Sequence, residues 1–390
     1  MKRQWTKEEA WDWYNKKGWL RGCNFISSDS CNRIDMWQSY GSEKRMKIVE
    51  SELKLCMETG FNSIRLLVEF DVWYQEHDSF MEILEKYITL ADKYNQRVML
   101  CLANNGVPCF EDKYVPRKLG EQEYAWGYHQ GRAPLMKEEL KNPPRHALEY
   151  PEVRQSYLQM VHEIVGKYAK DERIIFWNVY NEPTCHIGER SLPLLDMLFE
   201  AVRSEDPIQP LGSDVCDKLC EDDLVQKRVI ELSDVISYHC YRRYSEFLVL
   251  LEEVQAYGKP IMITEWLNRI LHNNIEEMYP YFYKEKIDCY CWGFVLGKTQ
   301  TNEPWTGMWK SFVNLPITPS PPCFSCGPDF SKWMHDLYRP NHMPYIPKEI
   351  TYIKYYNKLA DKREGVETKV SDSTAFSEFY DGNTALHFTY

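Results

Sequence analysis

The chain has 390 residues and a formal net charge of −11 at pH 7. That acidity excludes a nucleic-acid partner, because polyanion binding needs clustered Lys and Arg to displace counterions. With 44% hydrophobic and 14% aromatic residues the chain can bury a full core, which excludes general disorder and provides flat apolar faces of the kind that stack on sugars. No apolar run approaches the roughly 20 residues of a membrane helix, so no membrane association is expected.

The amino terminus, Met1 to Ala10, carries charges where a secretory signal needs an apolar stretch. Thr6 and Glu9 have the spacing of a capping box that opens a helix, and a cytoplasmic protein is the expectation. Thirteen cysteines, among them Cys23, Cys56, Cys101 and Cys291, are scattered through apolar runs. They read as unpaired buried thiols of a reducing compartment. Cys323-Phe-Ser-Cys326 is a lone CxxC, and His335 and His342 fall outside the spacing of zinc ligands, so no metal is expected.

Strand-like apolar runs then alternate with helix-period segments to the end of the chain. The strands are read as Leu20 to Asn24, Asn62 to Leu67, Val98 to Leu102, Ile174 to Tyr180, Gln209 to Gly212, Val235 to Tyr241, Ile261 to Glu265 and Cys289 to Leu296. Between them lie amphipathic stripes such as Phe80, Ile83, Leu84, Tyr87, Ile88 and Ala91, and Tyr157, Met160, Val161, Ile164, Val165 and Tyr168. Apolar residues at helical spacing are core-facing stripes. Eight βα units predict an α/β fold, a single (β/α)8 TIM barrel over residues 1–364 whose site lies at the carboxyl ends of the strands.

The longest irregular stretch, about Asn104 to Tyr150, follows the third strand, and its length suits a loop that shapes the substrate site. The last helix, about Lys348 to Arg363, leads into a polar tail, residues 365–390. In that tail Ala375 to Tyr380 and Asn383 to Tyr390 flank Asp381-Gly382 like a hairpin. Such a hairpin packs either on the barrel or on a second subunit, the latter giving a homo-oligomer.

Two glutamates close strands. Glu182 ends Arg173-Ile-Ile-Phe-Trp-Asn-Val-Tyr-Asn181-Glu182-Pro183, and Glu265 ends Pro260-Ile-Met-Ile-Thr-Glu265-Trp266. Pro183 cannot donate to a ladder, so the strand stops before it and leaves Glu182 at the mouth. Hydrolysis with retained configuration requires one carboxylate to attack the anomeric carbon and one carboxylic acid to protonate the leaving oxygen, about 5 to 5.5 Å apart. Like charges so close repel by roughly 3 kcal/mol at an effective dielectric of about 20, so only one is expected to be ionised. Arg65 and Tyr241, at the ends of the second and sixth strands, are candidates to hold Glu265 charged, leaving Glu182 protonated. A second Asn302-Glu303-Pro304 follows a polar segment rather than a buried strand, and Glu303 is read as a loop residue.

With these residues in place the chain resembles glycoside hydrolase clan A, closest to family 5, over about Trp5 to Tyr356. The resemblance rests on Arg21-Gly22-Cys23-Asn24-Phe25, Gly60-Phe-Asn-Ser-Ile-Arg65-Leu, Trp177 to Pro183, Asp234 to Tyr241, Thr264-Glu265-Trp266 and Trp292 to Thr301. It implies that Glu182 is the acid/base and Glu265 the nucleophile, that Asn181 bonds the sugar 2-hydroxyl, and that Arg65 and Tyr241 orient the nucleophile. It also implies that His239 and Trp292 line the subsite of the attacked sugar, and that no cofactor is needed. Two segments depart from the pattern. Asn104-Asn105 stands where relatives carry a different polar pair. Lys298 to Trp309, with candidate substrate contacts Lys298, Gln300 and Trp305, resembles an uncharacterised bacterial subgroup better than typical cellulases.

Seven tryptophans, Trp37, Trp73, Trp126, Trp266, Trp292, Trp305 and Trp309, fall on segments expected at the mouth, which favours a carbohydrate over a charged ligand. The expected function is that of a retaining β-glycoside hydrolase. Its rivals are an inactive carbohydrate-binding barrel and a metal-dependent hydrolase, which would need His and Asp at several strand ends where only His239 is read.

Overall fold

The structure, a computed structural model, describes residues 3–104, 109–133, 142–219, 223–308, 327–373 and 377. The strands are β1 (Arg21–Asn24), β2 (Ser63–Leu67), β3 (Arg97–Cys101), β4 (Ile174–Asn178), β5 (Leu211–Gly212), β6 (Asp214–Cys216), β7 (Ile236–His239), β8 (Ile261–Trp266) and β9 (Asp288–Trp292). They lie side by side in the order β5-β4-β3-β2-β1-β9-β8-β7-β6. Every described pairing is parallel. The two ends of that row, β5 and β6, are consecutive in the chain with only Ser213 between them. The sheet therefore closes into a barrel of eight staves, the fifth of them broken at Ser213.

This corrects the reading of the fifth strand, expected to stop at Gly212. Ser213 leaves the ladder because its side chains and backbone are engaged elsewhere: its N–H donates to Ser233 Oγ (3.2 Å) and its hydroxyl to the Tyr180 carbonyl (2.5 Å). Beyond the break β6 resumes pairing with β7, and Asp214 and Cys216 are carried to the mouth.

Helices wrap the outside as their sequences require. The predicted stripes are buried on helices His77–Lys93 and Pro151–Tyr168, and the capping box of Thr6 and Glu9 starts helix Lys7–Lys16. Trp37, Trp73 and Trp266 belong to this outer core, each 5% exposed or less, rather than to the mouth. Inside the barrel Leu20, Met99, Phe176, Met262 and Tyr290 form a separate apolar layer, and Ala10 and Tyr14 of the first helix pack against it from below. The staves approach closely at Gly22, where an added Cβ would sit 1.8 Å from the Ser63 carbonyl oxygen.

After the last helix, Pro347–Glu364, the chain turns at Gly365, whose φ of 70° suits glycine. It then returns along the barrel, with Ser371 N–H donating to the Glu58 carbonyl (2.9 Å). Of the expected hairpin at 375–390 all but Ser377 lies outside the described residues, as do Asn105, Trp309 and the Cys323–Cys326 pair. Among the described residues no helix is long and apolar enough to cross a membrane.

Candidate active site

Arg65, in the middle of β2, is wholly buried. A guanidinium there needs hydrogen-bond partners, and both of its terminal nitrogens have them. Its partners come from across the barrel. Nη1 donates to Asn24 (2.6 Å) on β1 and to Glu265 Oε1 (2.7 Å) on β8. Nη2 donates to Asn178 (2.9 Å) on β4, to Asn181 (2.6 Å) just beyond it, and to Asp214 Oδ2 (3.1 Å) on β6. One cation thus fixes the end of the barrel.

Glu265 receives a second bond, from the Tyr241 hydroxyl to Oε2 (2.7 Å). Glu182 lies four residues beyond β4, its backbone held at φ 45°, a left-handed conformation that costs a non-glycine residue energy and is met at functional sites. Its neighbour Asn181 bridges to Asn104, three residues beyond β3. Between the two glutamates stands His239, the last residue of β7. Its Nδ1 is 2.8 Å from Glu182 Oε1 and 3.5 Å from Glu265 Oε2, so those two oxygens are at most about 6.3 Å apart, a bound that admits the spacing of a double-displacement pair. On the ring's far side, Nε2 is 3.4 Å from Asp214 Oδ2.

The electrostatics correct one expectation. Burial disfavours an imidazolium, but Asp214 and Glu265 outweigh it and push His239 up to about 10. Burial likewise raises Glu182, yet the hydrogen bond and charge of His239 turn the net shift downward. Glu265 moves upward, because burial and the charge of Glu182 exceed the help from His239 and Arg65. Asp214 is held well below the usual carboxylate range, with burial outweighed by His239 and Arg65. In the free site these directions favour an ionised Glu182 beside a protonated His239, one hydrogen bond away, against the expectation of a protonated Glu182.

These groups open into a cavity of about 330 Å³ lined by Asn104, Asn181, Glu182, His239, Tyr241, Glu265, Trp292 and Trp305. Trp305 meets Tyr241 edge-on, ring centroids 5.1 Å apart. Of the site residues singled out in the sequence, Arg65, Lys298 and Gln300 are not in the lining. Lys298 pairs with Asp29 (2.8 Å). Gln300, fully buried, clasps the long loop by accepting from Gly127 N–H (2.7 Å) and donating to the Ala125 carbonyl (2.9 Å). Trp126 is 42% exposed and packs edge-on against Tyr124. Glu303 sits in a turn, as expected, half-buried.

Six further lining residues escaped the sequence reading as site residues: Arg33, Leu67, His129, Gln130, Cys216 and Asp217. His129 and Gln130 belong to the long loop, which does shape the cavity. For Asp214, behind the lining, the signal was an acid at a strand, hidden by the truncated fifth strand, and the same truncation hid Cys216.

Compared with solved structures, the chain is similar in fold to the GH5_18 protein of Streptomyces cattleya, solved with GlcNAc, at 12% identity and TM-score 0.55, covering 91% of this chain and 82% of that one. The barrel is shared. The endo-β-1,4-mannanase of Thermotoga petrophila aligns at 12% identity and TM-score 0.54, over 91% and 79% of the two chains. The glycoside hydrolase family 5 mannosidase of Rhizomucor miehei aligns at 13% and 0.54, over 89% and 94%. No family model and no curated protein matches the sequence.

Proposed function

We propose that the chain is a retaining β-glycoside hydrolase of the family 5 type, acting on oligo- or polysaccharides. The observation that carries this reading is the imidazole of His239 joining Glu182 and Glu265 at 2.8 and 3.5 Å, beneath an aromatic-walled cavity. Glu265 attacks the anomeric carbon. Arg65 and Tyr241 aim its carboxylate and stabilise it until the new C–O bond forms. As the glycosidic bond breaks, the proton of His239 Nδ1 passes along their hydrogen bond to Glu182 and from it to the leaving oxygen, which leaves Glu182 ionised and His239 neutral. Glu182 then removes a proton from the incoming water, which displaces the sugar from Glu265, and its passage back to His239 Nδ1 restores the starting state. Because Asn181 Oδ1 is committed to Arg65, its Nδ2 is the atom left to bind the sugar 2-hydroxyl. Trp292 and Trp305 offer apolar faces for the ring.

Two of the similar structures are named as a mannanase and a mannosidase, so aryl β-mannosides head the substrate panel. Glu265→Ala should abolish turnover, and azide should restore it with inversion of the product. Glu182→Ala should slow substrates with poor leaving groups by about 10² to 10⁴-fold, the usual worth of general acid catalysis, and spare activated aryl glycosides. Undiminished activity in Glu265→Ala would refute the assignment.

A further inference from the structure

Cys216 has no part in this chemistry, yet it lines the same cavity. It ends the broken fifth stave, where its N–H is held by Gln226 Oε1 (2.9 Å). Its Sγ, a ring nitrogen of His239 and a carboxylate oxygen of Glu182 all lie within 4.8 Å of one another. We propose that these three side chains bind a thiophilic divalent cation, Zn²⁺ fitting best, and that the bound ion shuts the site.

The donor set is the first argument. Thiolate, imidazole and carboxylate together suit zinc and its neighbours, whereas magnesium and calcium take oxygen donors. Size is the second. An ion central to three donors so spaced is no more than about 2.8 Å from each, so side-chain shifts below an ångström bring them to the 2.0–2.3 Å of zinc bonds. The surroundings are the third. Asp214 faces His239 Nε2 at 3.4 Å, the carboxylate behind a histidine that orients a metal-binding imidazole. The Cys185 thiol lies 3.3 Å from Glu182 Oε2, and the open cavity leaves room for water as a fourth ligand. On binding, the ion replaces the Cys216 thiol proton and the proton on His239 Nδ1. Both protons go to solvent and no electron moves. Glu182, now a ligand, neither holds nor delivers a proton, and the ion occupies space the sugar needs.

The site is tested without turnover, so its failure is separable from that of the hydrolase reading. The full-length chain is dialysed against Zn²⁺ or Co²⁺ alone. Wild type should take up one equivalent and show a thiolate-to-cobalt charge-transfer band. Cys216→Ser should lose the band and bind at least tenfold more weakly, while a Cys323→Ser/Cys326→Ser double variant keeps both. Retention of band and affinity in Cys216→Ser, or their loss in the double variant, overturns the proposal. Should Cys216→Ser fail to fold, iodoacetamide labelling of wild type decides: Zn²⁺ should slow alkylation of Cys216 at least tenfold, and an unprotected Cys216 refutes the site.

Discussion

At the scale of single residues, His239 changes what the two glutamates mean. Sequence marks Glu182 and Glu265 because an acid at the end of an apolar strand is conspicuous, but it cannot say where the shared proton rests. That depends on the 2.8 Å bond to His239 and on Asp214 behind the ring. His239 is raised from 6.5 to about 10. The stability it contributes is therefore complete below its unfolded pKa of about 6.5 and is lost as pH rises through about 10. Thermal melts should show wild type losing stability over that window, with the His239→Gln variant losing less. An equal loss in both would contradict the ion-pair assignment. Asp214→Asn removes the carboxylate facing both Arg65 and His239. Breaking a buried pair from one side costs about 3–5 kcal/mol, which denaturant unfolding would register. Lys298 and Gln300 show the opposite limit. Their polarity was legible, but their partners, Asp29 and the Gly127 backbone, are distant in sequence.

Among the elements, the strongly apolar strands were readable and the fifth was not. Gln209-Pro-Leu-Gly-Ser213 carries three turn-forming residues in five, so local signals end the strand where tertiary pairing resumes it at Asp214. That truncation hid Asp214 and Cys216 together. Tryptophan placement failed for a related reason: Trp37 and Trp266 stand near the mouth in sequence yet turn outward into the helical layer, where Trp37 Nε1 bonds the Leu67 carbonyl (2.8 Å). Close stave packing gives a direct test. A methyl at Gly22 would meet the Ser63 carbonyl, backbone that cannot swing aside. Gly22→Ala should therefore destabilise by about 3 kcal/mol, at the upper end for overpacking, read as a lower denaturation midpoint. A neutral result would mean that β1 and β2 do not approach as described.

For the molecule as a whole, one end of the barrel opens into the cavity and the other is plugged. The first helix inserts Tyr14 below the inner layer, its hydroxyl donating to the Ile261 carbonyl (2.9 Å), and Lys17 forms a buried ion pair with Asp288 (2.5 Å). Tyr14→Ala should cost about 3 kcal/mol, in the range for truncating a buried large side chain, while leaving KM unchanged because the cavity is at the far end. A raised KM with intact stability would reverse that division. The claim on which the functional reading turns is that Glu265 becomes covalently glycosylated, and trapping with a panel of 2-deoxy-2-fluoro glycosides followed by peptide mapping measures it directly. The expected result is one sugar bound per chain, on the peptide containing Glu265, and none in Glu265→Ala. A label on Glu182 or another residue, or labelling that persists in Glu265→Ala, would contradict it.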